Sequence, residues 1–120
     1  MKNLGIGLIA LLFSIAVSSC SKKCDNEQPR ARVLNNGTSS VSVGIKTSNG
    51  NTVNINNVAS QTSTPYVSYA PGNITFTITV TVNANKTDYI KEVAVGSCYD
   101  YDIAIDTNNV ITVKATDRNA

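Results

Sequence analysis

The sequence predicts an all-β protein built as an antiparallel β-sandwich of seven to eight strands, following an N-terminal signal helix. Thr, Val, Asn and Ser are abundant, and Leu is scarce beyond the first 13 residues, a composition that favours strands separated by turns. A second observation is the unbroken alternation of apolar residues with threonine in residues 73–82. A third is that turn residues recur at spacings of about 8–12 residues, as they do in β-sandwiches. The 120 residues suit one domain.

The alternating runs predict which side chains face the core. In residues 73–82 the apolar side chains share one face and the threonines the other, which is typical of a half-buried strand. Residues 41–45 and 53–55 alternate more briefly. Residues 99–105 and 110–115 predict the last two strands, and their expected inward side chains are Tyr99, Tyr101, Ile103, Ile105, Ile111, Val113 and Ala115.

Short clusters of turn-forming residues separate these runs. Asn and Gly tolerate positive φ, and Pro and Asn favour tight turns. The clusters lie at residues 35–37, 49–51, 71–72, 83–85 and 107–109. Because the loops are short, we expect antiparallel hairpins as the connections between strands.

The N-terminus predicts export. Lys2 precedes an apolar run from residue 4 to 17, and this run is shorter than the about 20 residues that a membrane span needs. Val17-Ser18-Ser19-Cys20 resembles the bacterial lipobox, in which small residues precede the cysteine that receives the lipid. We predict a lipoprotein signal peptide at residues 1–19 and lipidation of Cys20. An ordinary secretory signal and a retained transmembrane helix are the alternatives.

The lipid on Cys20 predicts a membrane as the first partner, since two or three acyl chains (palmitate among them) anchor a protein stably. Ser21 stands where an Asp retains many lipoproteins at the inner membrane, which favours the outer membrane of the cell envelope. Residues 22–27 are similar to the export signals of Bacteroidetes surface lipoproteins, although Cys24 and Asn26 interrupt the acidic pattern. Periplasmic and surface-exposed orientations both stay open.

The remaining chain divides into a tether and a domain. Residues 20–29 are polar and without periodicity, which predicts a flexible lipidated tether, and residues 30–120 form the predicted sandwich. Once Cys20 is lipidated, Cys24 and Cys98 form an even pair in an oxidising compartment, so they are a candidate disulfide. Two free thiols or an intermolecular bridge through Cys24 are the alternatives.

Residues 31–35, 41–45 and 64–72, followed by the long alternating run, resemble a widespread family of extracytoplasmic sandwich domains of unassigned function. Family members often begin with an Arg-Val-type strand and place a Pro-Tyr strand, here Pro65-Tyr66, before a glycine turn, here Gly72. The resemblance covers about residues 30–116 and implies an immunoglobulin-like or transthyretin-like sandwich on the cell envelope. Cys98 departs from the family pattern. The resemblance implies no activity, and a fold alone would not supply one.

Catalytic and metal-binding chemistry is not predicted. The chain has no His and its only Met is Met1, so common zinc and copper ligands and the base of Ser/His/Asp or Cys/His systems are missing. Residues 106–109 are similar to a calcium loop but lack its later Glu, so we interpret them as a polar turn. Asp100 and Asp102 lie about 7 Å apart on one predicted strand face, a spacing that overlaps glycosidase geometry. No Trp accompanies them, so we expect no enzyme and no cofactor.

Binding functions remain. The net charge of +2 gives no electrostatic footprint for nucleic acid, which we exclude as a partner. An envelope protein, bound through loops or an open strand edge, is the partner we expect. Binding of a glycan or polysaccharide is the alternative, and it requires exposed aromatic side chains. Tyr66 and Tyr69 are the candidate binding residues, and their exposure separates the two hypotheses.

Overall fold

The computed structural model describes residues 23–119, and these residues form nine β-strands and no helix. Within this range, no helix has the length and apolar character needed to cross a membrane. The predicted signal peptide and Cys20 lie outside the described residues. The strands are β1 (Arg30–Asn35), β2 (Val41–Lys46), β3 (Thr52–Val58), β4 (Thr62–Ser63), β5 (Val67–Ser68), β6 (Gly72–Val82), β7 (Asn85–Val95), β8 (Tyr99–Ile105) and β9 (Ile111–Asp117).

Two sheets pack face to face, which confirms the predicted all-β sandwich. Sheet I has the order β4-β1-β8-β9, with β5 also paired to β1, and sheet II has the order β3-β2-β6-β7. Seven strands have six or more residues, and β4 and β5 have two each. One pairing differs from the expected hairpins, because β1 and β8 run parallel, with Arg30 opposite Asp100 and Asn35 opposite Ile105. A parallel pair needs a long connection, and here the chain passes through sheet II between the two strands.

The core lies between the sheets and consists of the inward side chains that the alternation predicts. Ile74, Phe76 and Ile78 of β6 are fully buried, and so is Ile103 of β8. Each such side chain stabilises the fold by about 1.5–3 kcal/mol on burial. The regular alternation of buried and partly exposed residues along β6 therefore follows directly from its sequence.

Several side chains that were expected inward are more exposed than predicted. Val82 is 50% exposed and Tyr99 is 37% exposed, and both lie at strand ends, where the opposite sheet no longer covers them. The prediction for Tyr99 was thus wrong, although its ring lies 6.1 Å from that of Tyr101, which is buried. Ala115 lies on the edge strand β9 and is exposed.

The described part of the predicted tether lies against the domain. Cys24 and Cys98 form the candidate disulfide, with their Cα atoms 5.8 Å apart. The main-chain N–H of Cys98 donates to the carbonyl oxygen of Glu27 at 2.9 Å, and that of Tyr69 donates to the carbonyl oxygen of Pro29 at 2.9 Å. From Cys24 onward the segment is therefore fixed to sheet I rather than free, because its backbone and its cysteine both have partners there.

Candidate functional site

The two long sides of the sandwich differ in how they are closed. On one side, the edge strands β7 and β9 contact each other, and Asn109 Nδ2 donates to the Tyr89 hydroxyl at 3.2 Å. On the other side, β3 is the edge of sheet II and the two short strands β4 and β5 form the edge of sheet I. A groove separates these two edges, and this open side is the candidate functional site.

The groove is mainly apolar and has a volume of about 530 Å³. Val53 and Ile55 of β3 line one wall, Val67 of β5 lines the other, and the buried ring of Tyr69 lies among the lining residues. Val53 and Val67 are 38% and 40% exposed. Because these partly exposed apolar side chains both line the groove, another apolar side chain could be buried between them.

The edge beside the groove lacks the charged residues and prolines that often protect a strand edge. β3 contains no charged residue and no proline, whereas proteins commonly block free edges with charges, prolines or very short strands. The other edges are protected in these ways. β4 and β5 have two residues each with Pro65 between them, and charged residues occupy β7 (Lys86, Asp88, Lys91, Glu92) and β9 (Lys114, Asp117).

The regular part of this edge is short and well defined. Residues 52–55 pair with β2 in unbroken antiparallel register, and the register shifts between Val43 and Val41. Asn57, next to the shift, has φ of 58°, so the strand bends there as β-bulges do. The free edge available for pairing is therefore about four residues long.

The two tyrosines proposed as binding residues have different positions. Tyr69 is 5% exposed and belongs to the core, which excludes it as an exposed stacking platform. Burial also raises the pKa of its hydroxyl. Tyr66 is 37% exposed, but its ring lies against the guanidinium groups of Arg32 and Arg30, at 4.6 Å and 5.4 Å from the ring centre. Tyr66 and Tyr69 therefore do not form the pair of exposed aromatic side chains that the glycan-binding alternative requires.

The same arginines hold the carboxylates that the sequence singled out. Arg30 Nε and Nη2 donate to the two oxygens of Asp100 at 2.7 and 2.6 Å. Arg32 donates in the same way to Asp102 at 2.8 and 3.2 Å, and the Tyr66 hydroxyl donates to Asp102 Oδ1 at 2.6 Å. Hydrogen bonds from Arg32 lower the pKa of Asp102, and the bond to Asp102 raises the pKa of Tyr66. This Arg–Asp–Tyr ladder ties β1, β8 and the chain before β5 together on the outer face of sheet I.

Asp106 begins the predicted polar turn at residues 106–109 and has a structural role there. Its Oδ1 accepts hydrogen bonds from the main-chain N–H groups of Asn108 at 2.9 Å and Val110 at 3.0 Å. This is the polar turn that the sequence predicts in place of a calcium loop. Among residues 23–119, no group of three or more acidic, cysteine or histidine side chains is placed to hold a metal ion.

No protein-family model matches the chain, and no curated protein matches it. The fold and the open groove therefore carry the functional argument. Sequence reasoning missed the groove, because its walls come from two sheets and from strands far apart in the chain. The one available signal was the uncharged run of residues 52–58 beside charged edge strands.

Proposed function

We propose that this protein is a non-catalytic cell-envelope lipoprotein whose sandwich binds another envelope protein by accepting an extended strand at the free edge of β3. The observation that carries the proposal is the uncharged β3 edge beside an apolar groove. Strand addition uses main-chain hydrogen bonds for affinity and side-chain pockets for specificity. The β3 edge and the groove provide both features in one place.

The chemistry of the site defines the occupant. None of the groove-lining residues is charged, so a charged side chain entering the groove would lose its hydration without gaining a partner. Alternate side chains of an added strand point to one face of the sheet. We therefore propose an uncharged, extended partner segment with an apolar residue at every second position, and about four residues in length to match residues 52–55.

The sequence supports the location. The apolar run after Lys2 and the segment Val17-Ser18-Ser19-Cys20 favour a lipid anchor on Cys20. Ser21 favours the outer membrane, and the resemblance to extracytoplasmic sandwich domains is consistent with the cell envelope.

The test is site-specific photo-crosslinking of the full-length lipoprotein in intact cells. A photoreactive residue replaces Val53 or Val67 in the groove, and in a matched control it replaces Ile90, which is 66% exposed on β7 and lies outside the groove. We expect one protein adduct from the two groove positions and none from position 90. When the photoreactive residue is at one of the two groove positions, replacing the valine at the other position with Lys should reduce that adduct at least fivefold. The substitution places an unpaired charge in the groove.

Three results would contradict the proposal. Equal adducts from position 90 would show non-specific contact. An adduct of twice the chain's own mass would make a second copy the occupant. The absence of any protein adduct, together with retention on isolated cell-surface polysaccharide, would favour the glycan-binding alternative.

A further inference from the structure

The segment before β1, residues 24–29, is fixed to one end of the sandwich, and we call it the N-terminal strap. Its first residue, Cys24, is joined to Cys98 by the disulfide. The main-chain N–H of Cys24 donates to Asn119 Oδ1 at 2.7 Å, and Asn119 Nδ2 donates back to the Cys24 carbonyl oxygen at 3.3 Å. A covalent bond and a reciprocal pair of hydrogen bonds thus hold the same residue.

Arg118 fixes the middle of the strap. Its Nη1 lies 3.1 Å from Glu27 Oε1, and its Nη2 donates to the Gln28 carbonyl oxygen at 2.6 Å. Pro29 follows and is fully buried. The strap is therefore attached along its length, so the chain cannot swing away from the domain between Cys24 and β1.

The strap begins at one particular end of the sandwich, which we call the Cys98 pole. This pole also contains the start of β6 and the end of β7, since Gly72 pairs with Val95. The opposite end, the far pole, contains the β1–β2, β6–β7 and β8–β9 turns. Between the poles, the six residue steps of β8 span about 20 Å at a rise of about 3.3 Å per residue.

Lipidation of Cys20 would leave only four residue steps to Cys24, a maximum of about 14 Å at about 3.5 Å per residue. We propose that the strap holds the Cys98 pole against the membrane surface and directs the far pole away from it. This inference rests on the proposed lipid anchor at Cys20. The lipid surface is the partner of the Cys98 pole. The β3 groove lies along the side of the sandwich, between the two poles. In this orientation it stays accessible to an extended partner segment that runs parallel to the membrane normal.

Fluorescence energy transfer tests this orientation, because the 120-residue chain contains no Trp. Single-Trp variants Tyr99→Trp at the Cys98 pole and Val110→Trp at the far pole both replace exposed side chains. The acylated full-length proteins are placed in phosphatidylcholine vesicles that carry a dansyl headgroup acceptor. We expect transfer from position 99 to be at least twice as efficient as transfer from position 110.

Two altered tethers test the role of the strap. A ten-residue Gly-Ser insertion after Ser21 leaves the domain and the disulfide intact but lengthens the reach, so transfer from the two positions should become similar. The double variant Cys24→Ser and Cys98→Ser should also make the transfer efficiencies from positions 99 and 110 more similar. Circular dichroism checks that the domain of this variant is still folded.

The outcomes separate this inference from the proposed function. Equal transfer from positions 99 and 110 in the acylated protein, or greater transfer from position 110, would overturn the orientation alone. A full-length protein purified from membranes whose mass lacks the diacylglyceryl group would overturn the lipid anchor, and the orientation with it. An insertion variant that keeps the twofold difference would show that the short link between Cys20 and the strap does not orient the domain, and would overturn the inference.

Discussion

Asn35 shows how one residue can join three parts of the sandwich. It is fully buried at the end of β1, where its Nδ2 donates to the carbonyl oxygens of Ser39 at 2.8 Å and Val58 at 2.9 Å. Its Oδ1 accepts from the main-chain N–H of Gly37 at 3.0 Å. Through these bonds, a side chain of sheet I satisfies the backbone of the next turn and of the end of β3 in sheet II.

Replacing this side chain with an apolar one should be costly. In Asn35→Leu, two carbonyl oxygens and one N–H lose their partners, and leaving such groups unsatisfied in the interior costs about 1–3 kcal/mol each. Because three groups are affected, we expect the free energy of unfolding in urea denaturation to fall by about 3 kcal/mol or more. Asn54→Leu, on the exposed face of β3, is the control. A loss in Asn35→Leu no larger than in the control would show that Asn35 is not a structural link.

Asp102 is a second single residue whose contribution to the stability of the fold should depend on pH. Its folded-state pKa is lowered by the hydrogen bonds from Arg32, so the folded protein binds its proton less readily than the unfolded chain does. The stabilisation is complete above the unfolded pKa of about 3.9 and is lost as the pH falls through the lower folded pKa. Because both partners are partly exposed, we expect at most about 1 kcal/mol at neutral pH.

The measurement compares wild type with Asp102→Asn at pH 6 and pH 2.5. The stability advantage of the wild type should be present at pH 6 and should shrink at pH 2.5. Asp25→Asn is the control, since Asp25 is exposed and forms no ion pair within residues 23–119. An advantage of equal size at both pH values would contradict a role for the ionised carboxylate.

The sequence alone indicates part of the Arg–Asp–Tyr ladder. Arg30 and Arg32 alternate in the same way as Asp100 and Asp102, and their complementary charges fit the observed parallel register. The position of Tyr66 over both guanidinium groups has no such signal. Its ring reaches them only because the chain before β5 folds back antiparallel to β1.

At the scale of elements, the β6–β7 hairpin combines a well-predicted strand with an unfavourable turn residue. Val82 pairs with Asn85, so only Asn83 and Ala84 form the turn. Both have positive φ, 51° and 69°, as type I′ turns require, and Gly is the preferred second residue there. Asn tolerates this conformation, whereas the Cβ of Ala makes it costly by about 1–2 kcal/mol.

Ala84→Gly should therefore stabilise the protein. We expect an increase of about 0.5–1 kcal/mol in the free energy of unfolding, because the relief of strain outweighs the added freedom of the unfolded chain. Thermal unfolding measures it. Ala94→Gly, within β7, is the matched control and should destabilise, since Gly weakens a strand interior. If both substitutions lower the melting temperature, the turn is not strained.

The predictability of each element follows from how local its signal is. The alternation in β6 lies wholly within one segment, so its buried face could be assigned from sequence. β4 and β5 are too short to show any alternation of apolar and polar residues. They form because they pair with β1. The parallel pairing of β1 with β8 could not be derived from loop lengths, because it depends on how the intervening strands are arranged.

At the scale of the whole molecule, composition and turn spacing were sufficient for the sandwich but not for its open side. A groove between two edges depends on which strands end each sheet, and strand order is not contained in any single periodic pattern. The cysteine pair was easier to predict from the sequence, since an even number of cysteines in an oxidising compartment favours a disulfide bond. The attachment of the whole strap to sheet I required the positions of Arg118 and Asn119 as well.

The parallel β1–β8 pair also sets an order of events in folding. Arg30 and Asp100 are 70 residues apart, and contacts so distant in sequence form slowly because a long loop must close first. The β2–β3 and β6–β7 hairpins join near neighbours and can form as soon as each emerges. We therefore expect β1, the first strand of the domain to be synthesised, to be among the last to pair with all its neighbours. A chain interrupted before β8 can complete sheet II while β1 still lacks the neighbour that neutralises its arginines.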